Sequence, residues 1–232
     1  QDVANWILTT QTDVEGVREY LPKINVVPVK EKGLGDIPPP IHFLVSDRTG
    51  KTIVIQYVHG KVNIYDNPVG VLTNSPEFPW HLTNLNNYIG LTAGAKQEIK
   101  VGELELSPFG VGTGMLGLPG DFSPPSRFVR AVAYRNTVRP LESGYEGAME
   151  ALRILNNFDI PSGAVSPPAE LPTDDTLGST QWTTAMDTKN LQYYYKTMFN
   201  SRIRSIDLTK IDFDKAGIRY RPLDLERTQD IE

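Results

Sequence analysis

Two polar side chains stand where chemistry is possible, an asparagine at position 74 and an arginine at position 127. Asn74 lies in Val71-Leu72-Thr73-Asn74-Ser75-Pro76, which reads as a strand closing at a Ser-Pro turn. An asparagine at a strand end can aim its amide N–H₂ into a cleft, as groups that stabilise an oxyanion do. The alternative is a turn asparagine bonding its own backbone. Arg127 follows Gly117-Leu118-Pro119-Gly120-Asp121-Phe122-Ser123-Pro124-Pro125-Ser126. Pro119-Gly120 beside Asp121 predicts a tight reversal, with Gly120 free to take positive φ. Ser123 then reads as a helix N-cap with Pro124 at the first helical position. That puts Arg127 in the first helical turn, where the dipole disfavours a cation by about 0.3–1 kcal/mol. Either an ion pair with Asp121 or a functional demand keeps it there.

Other chemistry is thinly represented. His42, His59 and His81 have no metal-ligand spacing, and each reads as structural. No H-E-x-x-H, G-x-S-x-G or P-loop pattern occurs. Gly110-Val111-Gly112-Thr113-Gly114 has the spacing of a phosphate loop but lacks the strand-to-helix context that such a loop needs. The 232 residues contain no cysteine, which removes disulfides, thiolate metal sites and a cysteine nucleophile from within them.

The elements that must position these groups come from an ordinary globular composition, 39% hydrophobic and 22% charged. The length suits one large domain or two small ones. A formal charge of −5, with no long basic run, argues against nucleic acid or anionic membrane as partner. No apolar run is long enough to span a bilayer. The chain opens at Gln1-Asp2-Val3, which leads us to expect a processed or truncated chain.

Along the chain, residues 2–21 read as two helical pieces, the second led by the capping-box pattern Thr12-Asp13-Val14-Glu15. Residues 28–40 form a loop with three consecutive prolines; its Leu34 and Ile37 could line a substrate pocket, or the loop could be a plain connector. A meander follows, with strands predicted at 41–46, 52–58, 61–65 and 69–73. Ile53, Val54 and Ile55 are apolar on both faces, so this sheet is expected to be covered on both sides in a layered arrangement of helices and sheet. Residues 79–89 read as helix, 90–126 as mostly loop with short strands, and the helix that follows bears Phe128, Ala131, Val132 and Val138 on one face. Ser143-Gly144-Tyr145-Glu146 starts another helix, expected to bury Tyr145, Met149, Leu152 and Leu155. A Pro-rich loop at 161–172 precedes strands predicted at 181–186, 191–197 and 202–208.

Taken together, Asn67 to Pro76, Trp80-His81-Leu82-Thr83-Asn84-Leu85 and Gly117 to Phe128 resemble the choloylglycine hydrolase family, which includes bile salt hydrolases and penicillin V acylases. Trp182-Thr183-Thr184-Ala185 with Tyr193-Tyr194-Tyr195 is similar as well, so the resemblance runs over nearly the whole chain. It implies an α+β fold, a four-layer αββα sandwich of the N-terminal-nucleophile hydrolase type. It further implies that residues 1–232 form a single domain of that type, incomplete at its N-terminal side. Asn74 then matches the family's oxyanion asparagine and Arg127 its active-site arginine. The family's N-terminal Cys nucleophile, an Arg and an Asp shortly after it, and an Asn or Tyr further on would all precede Gln1.

The resemblance therefore implies hydrolysis of a linear, non-peptide amide by an N-terminal Cys, with these 232 residues inactive alone. No metal or organic cofactor is implied. The implied partners are a small amphipathic amide substrate (a bile salt, penicillin V or an acyl homoserine lactone), a homo-oligomer, commonly a tetramer, and the N-terminal segment itself. The source implied is bacterial, with the compartment open between exported, periplasmic and cytoplasmic. A rival expectation from another class is a non-catalytic module that binds an apolar ligand through loops 28–40 and 90–126.

Overall fold

The computed structural model describes residues 2–32, 36–165, 178–215, 217, 220, 222–229 and 231. The chain forms two compact units, Gln1–Val138 and Arg139–Glu232. Helices and antiparallel sheets make up both, which is an α+β arrangement.

In the first unit, helix α1 (Asp2–Thr10) precedes α2 (Val14–Tyr20). The α2 cap is Asp13, whose carboxylate accepts from Gly16 N at 2.8 Å, one residue later than the Thr12-led pattern predicts. Strands β1 (Phe43–Ser46), β2 (Thr52–Val58) and β3 (Lys61–Asp66) form an antiparallel meander in that order. The β2–β3 turn places His59 and Gly60 at φ of 50° and 75°, as a two-residue hairpin of right-handed twist requires. Alternate β2 side chains serve different cores. Ile53 and Ile55 pack with Ile7, Val14, Val17 and Leu21, whereas Val54 packs with Val71, Phe78, Phe128 and Val132. Each such buried side chain contributes about 1.5–3 kcal/mol, so β2 is pinned from both faces as its sequence predicts.

The strand expected at 69–73 does not form. The side chain of buried Asn67 occupies the backbone groups a ladder would use. Its Nδ2 donates to Val71 O at 3.1 Å, and its Oδ1 accepts from Gly70 N at 2.8 Å and Val69 N at 3.3 Å. The chain then passes through Asn74 and a cis Ser75–Pro76 bond into α3 (Phe78–Asn84), followed by a 3₁₀ turn over Leu85–Tyr88. The N-cap residue Glu77 supplies no side-chain cap. Gln56 of β2 does so from across the fold, its Oε1 accepting from Phe78 N at 2.8 Å.

The long segment 90–126 carries the hairpin of β4 (Ile99–Val101) and β5 (Leu104–Leu106) and a 3₁₀ turn at Val111–Met115. The glycine-rich run is consumed internally. Thr113 Oγ1 accepts from Lys96 N at 3.0 Å, and a Cβ on Gly114 would lie 1.9 Å from Gly94 O. Helix α4 (Pro124–Thr137) completes the unit.

In the second unit, α5 (Gly144–Leu155) packs against β6 (Trp182–Asp187), which continues into β7 (Gln192–Thr197) and β8 (Asn200–Asp207), all antiparallel. Ser143 Oγ accepts from Glu146 N at 3.1 Å, as the capping pattern predicts. Only part of the expected apolar face is buried. Leu152 is, but Tyr145 is 60% exposed and Leu155 36%. Residue 145 stands in the first turn beside the cap, where its ring meets Tyr194 edge-on instead of entering the core. The Pro-rich loop expected at 161–172 lies outside the described residues from 166 onward. Among the described residues, no helix is long and apolar enough to cross a membrane.

Candidate active site

Asn74 and Arg127, 53 residues apart in sequence, meet directly. Arg127 Nη2 donates to Asn74 Oδ1 at 2.6 Å. Two local constructions bring them there. On one side, the segment from Asn67 to Phe78 is held by the Asn67 turn and the Gln56 cap. On the other, α4 begins at Ser123, although the Ser123 hydroxyl bonds Ser126 Oγ at 3.1 Å instead of capping the helix backbone. The two sides are stitched by Thr73 Oγ1 donating to Pro124 O at 3.1 Å and by Phe78 packing edge-on against Phe128, centroids 6.1 Å apart.

Arg127 is not paired with Asp121. Its Nε donates to Phe122 O at 2.9 Å, and among the described residues no carboxylate lies within ion-pair reach. Burial first, and then neighbouring Arg130, shift its guanidinium downward from the ordinary value, yet an arginine stays charged at any physiological pH. Its charge is thus met by neutral oxygens and remains available to an anionic group. Asp121 has other duties. Its carboxylate accepts from Ser123 N at 2.9 Å and Ser126 Oγ at 2.5 Å, and its backbone carbonyl accepts from the buried Arg130 at 2.7 Å. Arg130 also donates to Pro119 O at 2.9 Å, so the reversal before α4 is built on that guanidinium. The positive φ in this reversal belongs to Gly117, at 91°, and Gly120 needs none.

The Ser123 and Ser126 hydrogen bonds hold the Asp121 carboxyl down to about 2 from an ordinary 3.8. A depressed carboxylate stabilises the fold above its ordinary value, and that contribution is lost as pH falls towards the folded-state value. Unfolding in urea between pH 5 and pH 2 should therefore show wild type losing its advantage over Asp121→Asn across that window. A gap that stays constant with pH would contradict it.

The bond to Arg127 fixes how the Asn74 amide is turned. With Oδ1 facing the guanidinium, Nδ2–H₂ points away as a donor on an exposed residue. A third group, read from sequence as structural, takes part in this arrangement. His81 on α3 is completely buried, with its Nε2–H donating to Asn74 O at 3.0 Å and its ring stacked on Phe128 at 4.7 Å. Burial, ahead of the opposing pull of the Asn74 and Pro76 backbones, lowers its pKa and keeps it neutral. The available sequence signal was its position between Phe78 and Leu82 on the apolar face of a short helix.

Ile37 bridges to Glu31 within its own loop, is 54% exposed and belongs to neither buried cluster; Leu34 lies outside the described residues.

The chain that brings Asn74 and Arg127 together belongs to the choloylglycine hydrolase family of linear amide C–N hydrolases, matched over residues 1–220. Among curated relatives it is 38% identical over 217 residues to the bile salt hydrolase/transferase of Clostridium perfringens, covering 92% of this chain and 63% of that protein. A penicillin V acylase from Pectobacterium atrosepticum is 30% identical over 202 residues, covering 82% of this chain and 47% of the relative. The crystal structure of a mutant conjugated bile acid hydrolase from Clostridium perfringens superposes with a TM-score of 0.80 at 36% identity, covering 98% of this chain and 67% of that one. The chain spans under two thirds of the length of the first of these curated relatives.

Proposed function

We propose that this chain is the larger part of an amide hydrolase that cleaves a linear, non-peptide amide with an N-terminal cysteine supplied from outside these 232 residues. The observation that carries the reading is the 2.6 Å contact between Arg127 and Asn74, which orients an exposed amide donor beside a cation that meets no carboxylate among the described residues. In this mechanism the thiolate attacks the amide carbonyl carbon, a C–S bond forms, and the carbonyl electron pair moves onto oxygen. Asn74 Nδ2–H donates to that oxygen. The Arg127 charge favours the thiolate over the thiol. The α-amino group of the cysteine passes its proton to the leaving amine, the C–N bond breaks, and water then hydrolyses the thioester. No metal or organic cofactor enters this scheme.

The relatives named for bile salts and penicillin V suggest an amphipathic acyl substrate, with acyl homoserine lactones as a third class. We read the complete molecule as a four-layer αββα sandwich, supported by the helix-on-sheet stacking within each unit. We also read it as a homo-oligomer. The β4–β5 hairpin leaves Ile99, Val101 and Leu104 each more than half exposed, with fully exposed Phe109 just beyond, an apolar surface of the kind that subunit contacts cover.

The test is amine release by the protein bearing its cysteine, assayed side by side on glycocholate, penicillin V and a long-chain acyl homoserine lactone. Turnover of at least one, with none by the isolated 232 residues, is expected. Turnover by the isolated residues would overturn the assignment of the nucleophile. Ligand binding with no turnover of any of the three would favour the non-catalytic module instead.

A further inference from the structure

Asn74 is held at two points, and only one of them is Arg127. That bond fixes the rotation of the amide group. The position of the Cβ from which the amide projects is set by the backbone, and there His81 Nε2–H donates to the Asn74 carbonyl at 3.0 Å. The donor cannot wander. His81 is fully buried, its ring stacks on Phe128 with centroids 4.7 Å apart and 19° between planes, and Phe128 directly follows Arg127. One imidazole therefore touches the backbone of the amide residue and the neighbour of the guanidinium residue. Of the ring's two nitrogens, it is Nε2 that makes the 3.0 Å bond, and that bond goes to the Asn74 backbone.

We propose that His81 is a positioning residue for the Asn74 donor, fixing the peptide from which the oxyanion-binding amide projects; this rests on the hydrolase reading above. A displaced donor weakens transition-state binding without altering how the substrate's acyl group is held. The loss therefore falls on kcat and spares KM.

The experiment uses the complete enzyme bearing its cysteine, assayed on whichever amide it turns over fastest. His81→Phe keeps the ring and the stack on Phe128 but removes the N–H. His81→Gln places an amide N–H₂ near the lost Nε2. We expect kcat of His81→Phe to fall about tenfold or more with KM within about twofold, and His81→Gln to recover most of the loss. In an Asn74→Ala background His81→Phe should have no further effect, because the residue through which it acts has lost its amide. Circular dichroism verifies that each variant folds. If His81→Phe does not, His81→Asn, too short to reach the carbonyl, replaces it in the same cycle. A wild-type kcat in the donor-less variant, losses that multiply in the double variant, or a glutamine as slow as phenylalanine would each overturn the proposal. If wild type turns over no amide, or Asn74→Ala is as fast as wild type, the hydrolase reading itself fails and takes this one with it.

Discussion

Replacing Asn74 by alanine in the enzyme that bears the cysteine is expected to lower kcat by about 10²–10³-fold, or about 2.7–4 kcal/mol of barrier, while KM moves little. The asymmetry follows from where charge develops. A ground-state amide oxygen is already adequately solvated, so the amide donor gains most only as that oxygen becomes an anion. Arg127 should sharpen the effect, since its bond to Oδ1 polarises the same amide whose N–H donates. Asn74→Asp is the more telling companion. It keeps the size of the side chain and strengthens the contact with Arg127, so the fold should be at least as stable. Yet it removes the donor and sets a negative charge beside the nascent oxyanion. Its kcat should be no higher than that of the alanine variant. An aspartate variant with near wild-type turnover would show that the residue at 74 serves only to anchor the arginine. Steady-state kinetics with thermal unfolding of both variants makes the check.

Much of this site was legible because its residues announce themselves in local chemistry. A cation in the first turn of a helix opposes the dipole, and the sequence shows that conflict at Arg127 without showing its resolution. The resolution is non-local. The partner is Asn74 and not Asp121, because the Asp121 carboxylate is already taken by Ser123 and Ser126. The strands of the first meander and of the second unit were likewise readable, since β-branched and aromatic residues between turn signals suit a pleated surface. What escaped was decided by single side chains. Asn67 replaces a predicted strand with a side-chain-satisfied turn, and Gln56 caps a helix 22 residues downstream. Neither leaves a periodic trace. His81 escaped for the opposite reason, because a histidine on the apolar face of a helix looks like core until the carbonyl it holds is known.

Phe128→Ala should produce the largest loss of stability, about 3–5 kcal/mol. The side chain is fully buried, and it fills the space among Val54, Val71, Phe78 and Val132 with His81 stacked on it. No neighbour is placed to collapse into the void cheaply. Val54 is fixed in the central strand of its sheet, Phe78 by the Gln56 cap, and the His81 ring by its bond to Asn74. The residual cavity should therefore stay close to its full size, which puts the cost towards the upper end of the range. Against a typical total of about 5–15 kcal/mol, that is enough to leave a marginal protein partly unfolded at about 37 °C. Urea titration should show a lower midpoint with an unchanged slope, and Phe128→Leu, which refills part of the volume, should fall between the two. A midpoint shift worth less than about 1 kcal/mol would mean that the site can collapse after all. Because the same ring supports both His81 and the turn that carries Arg127, the fraction of Phe128→Ala that remains folded should also turn over slowly. Phe128 would then be the point where the stability of the first unit and the geometry of the Asn74–Arg127 pair depend on one side chain.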